Sequence, residues 1–309
     1  MSTSCFSRGC KGMIAKRIQT DLQRQGFAVG DPSRFADGDF GGKTHAAVQS
    51  LQGARGLPAT GAVDPLTWQR LTPTPMPMPS LFERCLQVTA AFEGHGFGLA
   101  KGNFDGAGIT WGVIGFTLSN REIQVVLAAA EVQSPGILAR CMGPLAAEWR
   151  AVTVLTLMQQ VAWAHAMSSG PSREGLPVAW LQAFEKLGNE EVVKRIQMKR
   201  AYERYFVPCA ASAATLGLAS ELGIALAFDV FVQNGGFKPD ATTLAAGLPP
   251  ATTEAVRRQK LAACVAASAR PQYQTDVLSR KNTLATGQGV VHGASYQLTA
   301  WGLGEDAAA

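Results

Sequence analysis

The sequence predicts a predominantly helical α+β chain with one small sheet, split into an amino-terminal helical domain and a larger helix-rich domain. Three observations carry that expectation. Apolar residues recur at helical spacing through most of the 309 residues. A proline-rich segment, Thr72-Pro-Thr-Pro-Met-Pro-Met-Pro-Ser80, interrupts that pattern. A cluster of turn glycines introduces one strand-like run, Ile109 to Leu118. The expected divisions are residues 1–71, a linker at 72–80 and residues 81–309. Alternating prolines favour polyproline II at about 3.1 Å per residue, a semi-rigid spacer of roughly 25–30 Å that holds two folded units apart.

Before the linker, Ile14, Ile18, Leu22 and Phe27 fit one helix ending at Gly26. A loop, Asp37-Gly38-Asp39-Phe40-Gly41-Gly42, follows, and Thr44 to Gln52 reads as a second helix. Gly56 to Asp64 turns the chain into a third helix, Pro65 to Leu71, with proline at its start. The pattern Asp37-Gly38-x-Phe40-Gly41, Thr44, Ala47-Val48, Leu51-Gln52, Gly56-Leu57, Thr60-Gly61-x-Val63-Asp64, Thr67-Trp68 and Leu71 resembles the three-helix peptidoglycan-binding domain of many wall hydrolases. The resemblance covers most of residues 10–71. It implies a shallow groove for stem peptide and glycan, with Phe40, Thr44 and Leu57 as candidate lining residues, although Phe40 and Leu57 fit a core equally well.

After the linker, Leu81, Cys85, Leu86, Val88, Thr89 and Phe92 share one helix face, stopped by Gly94 and Gly96. Further helices are expected near 121–132, 144–168, 176–186, 189–204, 214–234 and 251–268. Glu93 then falls in the last turn of its helix. There the negative end of the macrodipole, with Phe92 and Phe97 nearby, disfavours the ionised carboxylate and suits a general acid. Asp105 falls in a turn among Gly106, Gly108 and exposed amides, which favour the ionised form and suit a general base. One carboxyl that protonates a leaving oxygen and another that activates water are what glycoside hydrolysis requires.

Residues 91–118 resemble the catalytic segment of the chitosanases, a branch of the lysozyme superfamily. The matching residues are Glu93, Asp105-Gly106-Ala107-Gly108-Ile109-Thr110 and Gly112-Val113-Ile114-Gly115-Phe116. The likeness continues through Tyr205-Phe206-x-Pro208, Gly217-Leu218, Ala227-Phe228-Asp229-x-x-Val232, Asp276-x-x-Ser279-Arg280, Gly287 and Tyr296-x-Leu298-x-x-Trp301-Gly302. It implies Glu93 as proton donor, Asp105 as the base that activates water, and Thr110 as the hydroxyl that helps hold that water. It also implies a supporting buried ion pair, Asp229 with Arg280. Asp105 stands only twelve positions after Glu93, a shorter spacing than expected of chitosanases. Gln233-Asn234-Gly235-Gly236 replaces that family's usual short motif. Amides pair with sugar hydroxyls and N-acetyl groups, so Gln233 and Asn234 are candidate substrate contacts, with helix capping as the alternative. His95 is a third candidate contact. His45 and His165 are expected to be structural, and His292 to lie in a loop near the tail.

Composition narrows the function further. The chain is 47% hydrophobic and 17% charged, enough to bury a sizeable core. Residues 1–80 hold nine Lys/Arg against five Asp/Glu, whereas residues 81–309 hold nineteen against eighteen. The basic surplus therefore sits on the first domain and suits an anionic wall surface, while no Lys/Arg block is dense enough for nucleic acid. Six cysteines show no metal-ligand spacing, so neither metal nor organic cofactor is expected. A Cys5–Cys10 disulfide is conceivable, but reduced thiols are expected. The uncharged stretch Ala151–Ser172, interrupted by Gln159, Gln160 and His165, reads as a buried helix rather than a membrane span. Met1 to Arg8 lacks the apolar core of a signal peptide. Synthesis in the cytoplasm is expected, with action in the periplasm or wall after holin-dependent release (an endolysin) or delivery by a secretion machine (an effector). The overall expectation is a monomeric, bacteriolytic peptidoglycan hydrolase that cuts β-1,4 glycan with inversion, in the manner of a muramidase. A lytic transglycosylase, a chitosanase and a non-catalytic wall-binding protein remain as alternatives.

Overall fold

The computed structural model describes residues 5–72, 76–94 and 96–306. The chain packs as two compact units: Met1–Phe92 together with Tyr205–Ala309, and Glu93–Arg204.

The first unit begins with α1 (Met13–Arg24), α2 (Gly42–Ala54) and α3 (Pro65–Leu71). Ile14, Ile18 and Leu22, four residues apart, bury one face of α1. Asp64 caps α3 by accepting from Thr67 N at 2.7 Å, and Pro65 occupies the first turn, where its missing N–H costs nothing. Two buried glutamines hold the loops. Gln19 donates to Asp37 Oδ1, the Asp39 carbonyl and Thr44 Oγ1, and accepts from Gly38 N. Gln52 does the same for Thr60, Gly61, Ala62 and Thr67. A β-carbon on Gly61, at φ +71°, would stand 2.2 Å from the His45 ring, so glycine is required there.

These helices are not held off by the proline-rich segment, which corrects the expected spacer. Phe6 is fully buried, exchanges backbone hydrogen bonds with Val63 at 2.8 and 3.0 Å, and bridges to Trp301. Ser7 N donates to the Ala300 carbonyl, and Gln87 bonds both Ile14 N and the Cys10 thiol. The Trp68 indole donates to the Pro77 carbonyl at 3.1 Å. Apolar burial at Phe6 and Trp301 thus outweighs the stiffness read from composition; Pro73, Thr74 and Pro75 lie outside the described residues.

The same unit contains α4 (Leu81–Glu93) as far as Phe92, α11 (Val207–Thr215), α12 (Glu221–Asn234), α13 (Pro239–Gly247), α14 (Glu254–Ala267) and α15 (Gln274–Thr286). Residues Glu221 to Val230 of α12 are all buried, making it the central helix. An antiparallel hairpin, β4 (Gln288–Val291) and β5 (Ala294–Gln297), packs on α15. Its two-residue turn, His292-Gly293, has φ +49° and +79°, the left-handed pair that a tight hairpin demands. His292 therefore lies at the tip of this hairpin.

The second unit holds a three-stranded antiparallel sheet, β1 (Ala100–Lys101), β2 (Thr110–Trp111) and β3 (Phe116–Thr117). Around it lie α5 (Glu122–Gln133), α6 (Ile137–Met142), α7 (Leu145–Thr153), α8 (Leu157–Met167), α9 (Val178–Asn189) and α10 (Glu191–Ala201). The strand expected over 109–118 is two short strands around a tight turn. The helix expected over 144–168, and the buried helix read over Ala151–Ser172, break at Val154–Thr156. There a capping box, Thr156 with Gln159, starts α8 afresh. Only Gln160 and Ala164 of α8 are buried, and Met158 is 81% exposed. Among the described residues no helix is long and apolar enough to cross a membrane. All six cysteines are free; burial pushes the Cys10 and Cys209 thiols up to about 12.

Candidate active site

Glu93 is the last residue of α4, half-buried, where Gly94 at φ +64° ends the helix. His95 lies outside the described residues. The chain after Glu93 is fastened by close backbone packing: a β-carbon on Gly188 of α9 would stand 2.3 Å from Gly98 Cα. Gln197 of α10, fully buried, donates to the Phe97 carbonyl at 2.9 Å and accepts from Val113 N at 2.9 Å. One side chain thus ties the segment after Glu93 to the turn between β2 and β3. Replacing Gln197 by leucine leaves two backbone groups in the interior without partners. The expected loss is about 2–4 kcal/mol of unfolding free energy, read by urea denaturation. An unshifted midpoint would show that this tether is dispensable.

Asp105 projects from the loop between β1 and β2 and is exposed. Its Oδ1 accepts from Ala107 N at 2.9 Å, the turn geometry in which a short carboxylate holds its own loop. The loop is held by hydrogen bonds of Asn103. Asn103 accepts from Gly108 N, bonds the His165 ring on α8 at 3.0 Å, and donates its own N–H to Ser168 Oγ. A β-carbon on Gly102 would meet the Arg173 carbonyl oxygen at 2.5 Å, so the loop sits directly against the following backbone. One strand further on, Thr110 is 5% exposed and directly opposite Thr117 across β2 and β3. Both hydroxyl oxygens are buried without a hydrogen-bond partner among the described residues. Cross-strand partners share a sheet face, so two unsatisfied hydroxyls stand side by side. The sequence singled out Thr110 and missed Thr117.

Asp229, at the centre of α12, is fully buried in the first unit. Arg280 Nη2 lies 2.6 Å from its Oδ1, Thr89 Oγ1 donates to the same oxygen at 3.1 Å, and Lys281 Nζ donates to its Oδ2. Burial pushes this carboxyl up, but the charges of Arg280 and Lys281 and their hydrogen bonds outweigh it and hold it at about 2. Lys281 was not legible as a partner. It also donates to Gln233 Oε1 at 2.8 Å; Gln233 Nε2 donates to Asp276 Oδ2 at 3.0 Å. Asp276 Oδ1 faces His292 Nε2 at 2.6 Å, and His292 Nδ1 faces the Phe92 carbonyl at 2.9 Å. A continuous polar chain therefore runs from the centre of α12 to the peptide carbonyl immediately before Glu93, with the Arg280 guanidinium 5.4 Å over the Phe92 ring.

This placement revises three candidates. Gln233, expected to contact substrate, has both ends of its amide engaged within the protein. Phe40 is fully buried, and Thr44 is buried with its hydroxyl bonded to Gln19, so both shape the amino-terminal loops instead of lining a groove. Leu57 is half-exposed. Asn234 has a buried Oδ1 without a partner and lines a cavity. Among the described residues no cluster of three His, Cys, Asp or Glu could hold a metal.

Comparison with known proteins defines the class, a glycoside hydrolase. The chain belongs to glycosyl hydrolase family 46, whose model matches residues 89–270, and residues 14–71 match the model of a peptidoglycan binding domain. It is similar to the family 46 chitosanase of Gynuella sunshinyii solved in complex with chitotetraose, with 19% identity, 67% of this chain and 88% of that chain covered, and a TM-score of 0.50. It is also similar to native chitosanase from Bacillus subtilis MY002, with 20% identity, 65% and 85% covered, and a TM-score of 0.48. Among curated proteins no sequence matches the chain.

Proposed function

We propose that the protein hydrolyses the β-1,4 glycan of peptidoglycan by a single inverting displacement. The observation that carries this reading is the union, in one chain, of a wall-binding segment with a family 46 segment bearing Glu93 and Asp105. Glu93 in its acid form gives a proton to the glycosidic oxygen as the bond from that oxygen to the anomeric carbon breaks. Asp105, ionised, takes a proton from a water that attacks the opposite face. The Thr110 hydroxyl, buried and unsatisfied beside that of Thr117, is suited to hold the water in line. The near balance of nineteen cations against eighteen acids after residue 80 favours an acetylated glycan over a polycation. Such an enzyme would meet the wall after holin release or delivery by a secretion machine.

Muropeptide mass spectrometry of digested sacculi tests the reading. Hydrolysis leaves reducing ends carrying the added water, and proton NMR of the fresh product shows the inverted anomer. Products lacking that water would identify a lytic transglycosylase. Intact sacculi alongside cleaved glucosamine oligomers would identify a chitosanase, and sacculi bound without release a wall-binding protein.

A further inference from the structure

At the carboxy-terminal end of α12 the first unit contains a cavity of about 520 Å³, large enough for a sugar residue with its substituents. Its lining includes Asn234, Lys238, Asp240, Arg270, Tyr273 and Asp276. Both acids are already engaged by groups of the protein. Asp276 Oδ1 faces His292 Nε2 and its Oδ2 accepts from Gln233 Nε2. Asp240 Oδ1 accepts from its neighbour's Ala241 N and its Oδ2 from Ser268 Oγ. The cations are in the opposite condition. Lys238 and Arg270 are exposed at the cavity, and neither side chain has a hydrogen-bond or ion-pair partner among the described residues. Asn234 adds a buried carbonyl oxygen with no donor.

The groups left open are therefore two cationic donors and one amide acceptor. We infer that this cavity binds the carboxylate of an acidic, N-acetylated glycan, with Lys238 and Arg270 holding the carboxylate and Asn234 Oδ1 accepting the acetamido N–H. The inference rests on the peptidoglycan reading and deepens it by naming the group that distinguishes this substrate from a glucosamine polymer. A glucosamine ammonium meets the like charges of Lys238 and Arg270, and each carboxylate oxygen lining the cavity is already engaged by a protein group. A carboxylate meets a guanidinium, the partner best matched to it in geometry. Within peptidoglycan the carboxylate could be the lactyl group of muramic acid or one on the stem peptide.

The test compares the full chain carrying Glu93→Gln, which prevents turnover, with the same chain also carrying Lys238→Ala and Arg270→Ala. Binding is measured by calorimetry to four probes: a peptide-free muramic acid–glucosamine tetrasaccharide, its methyl ester, a peptide-bearing tetrasaccharide, and glucosamine tetramer. Removing the two cations should weaken a carboxylate probe about tenfold at low salt, an effect that fades as salt rises. It should leave the methyl ester unchanged and glucosamine tetramer unchanged or bound more tightly. Weakening confined to the peptide-bearing probe assigns the stem peptide; weakening of the peptide-free probe assigns the lactyl group. Equal weakening of ester and acid, no weakening of either acid, or no measurable binding of any acidic probe overturns the inference. Both substituted residues are exposed, so matching thermal unfolding of the two chains confirms an intact fold. Failure of the hydrolase reading is distinguishable, because sacculi would stay uncut by the unsubstituted chain whatever the calorimetry shows.

Discussion

Glu93→Gln is expected to cut turnover on sacculi by about three orders of magnitude while leaving binding to them unchanged. The amide is nearly isosteric with the carboxyl but carries no acidic proton, so the leaving oxygen departs without protonation. Glu93 is half-buried at the end of α4 and is not part of the packed core, so the fold should persist. Two readouts separate chemistry from affinity: soluble muropeptides released per unit time, and protein retained on washed sacculi. Undiminished release would remove Glu93 from the reaction, and joint loss of release and retention would mean that the substitution damaged the structure. Asp105→Asn is the companion experiment. An asparagine Oδ1 can still accept from Ala107 N, so the loop keeps its turn while the base is lost.

What the sequence disclosed was what depends on local spacing. The helix ends at 26, 65 and 93 are marked by glycine, proline or an aspartate cap, and the Asp-Gly loop announces its own turn. Long-range polar tethers left no such trace. Nothing in the local sequence marks Gln19, Gln52 or Gln197 as a tether, yet each is buried and fixes a loop. Gln197 bonds Phe97, a hundred residues away, a relation invisible without the fold. The docking of Phe6 against Trp301 is equally non-local. One miss had a usable signal and another did not. Thr156-x-x-Gln159 is a capping box that could have split the helix expected over 144–168. Gln288 to Gln297 contains a turn in which histidine takes the left-handed position usually filled by asparagine, which hid the hairpin.

Asp229→Asn is expected to be the most destabilising single change, about 3–5 kcal/mol by urea denaturation. The mutant side chain fits, but two buried cations, Arg280 and Lys281, lose the carboxylate that neutralises them. Lys281→Met should cost less, because Asp229 keeps Arg280 and Thr89, although Asp229 Oδ2 and Gln233 Oε1 each lose a donor. Equal costs would mean that packing rather than charge dominates the site. The pH dependence gives an independent check. The carboxyl is held at about 2 in the fold, below the ordinary value of 3.8, so the folded form binds its proton less readily. Its stabilisation is therefore complete above about pH 4 and is lost as pH falls through the interval down to about 2. The size of that lost contribution is on the order of 2 kcal/mol. In Asp229→Asn this part of the acid transition should vanish, whereas Lys281→Met should shift it to higher pH, since one of the two cations that depress the carboxyl is gone. Because the polar chain from Asp229 ends on the Phe92 carbonyl, loss of wall cleavage in Asp229→Asn below its unfolding transition would show that the buried charge also positions the helix end bearing Glu93.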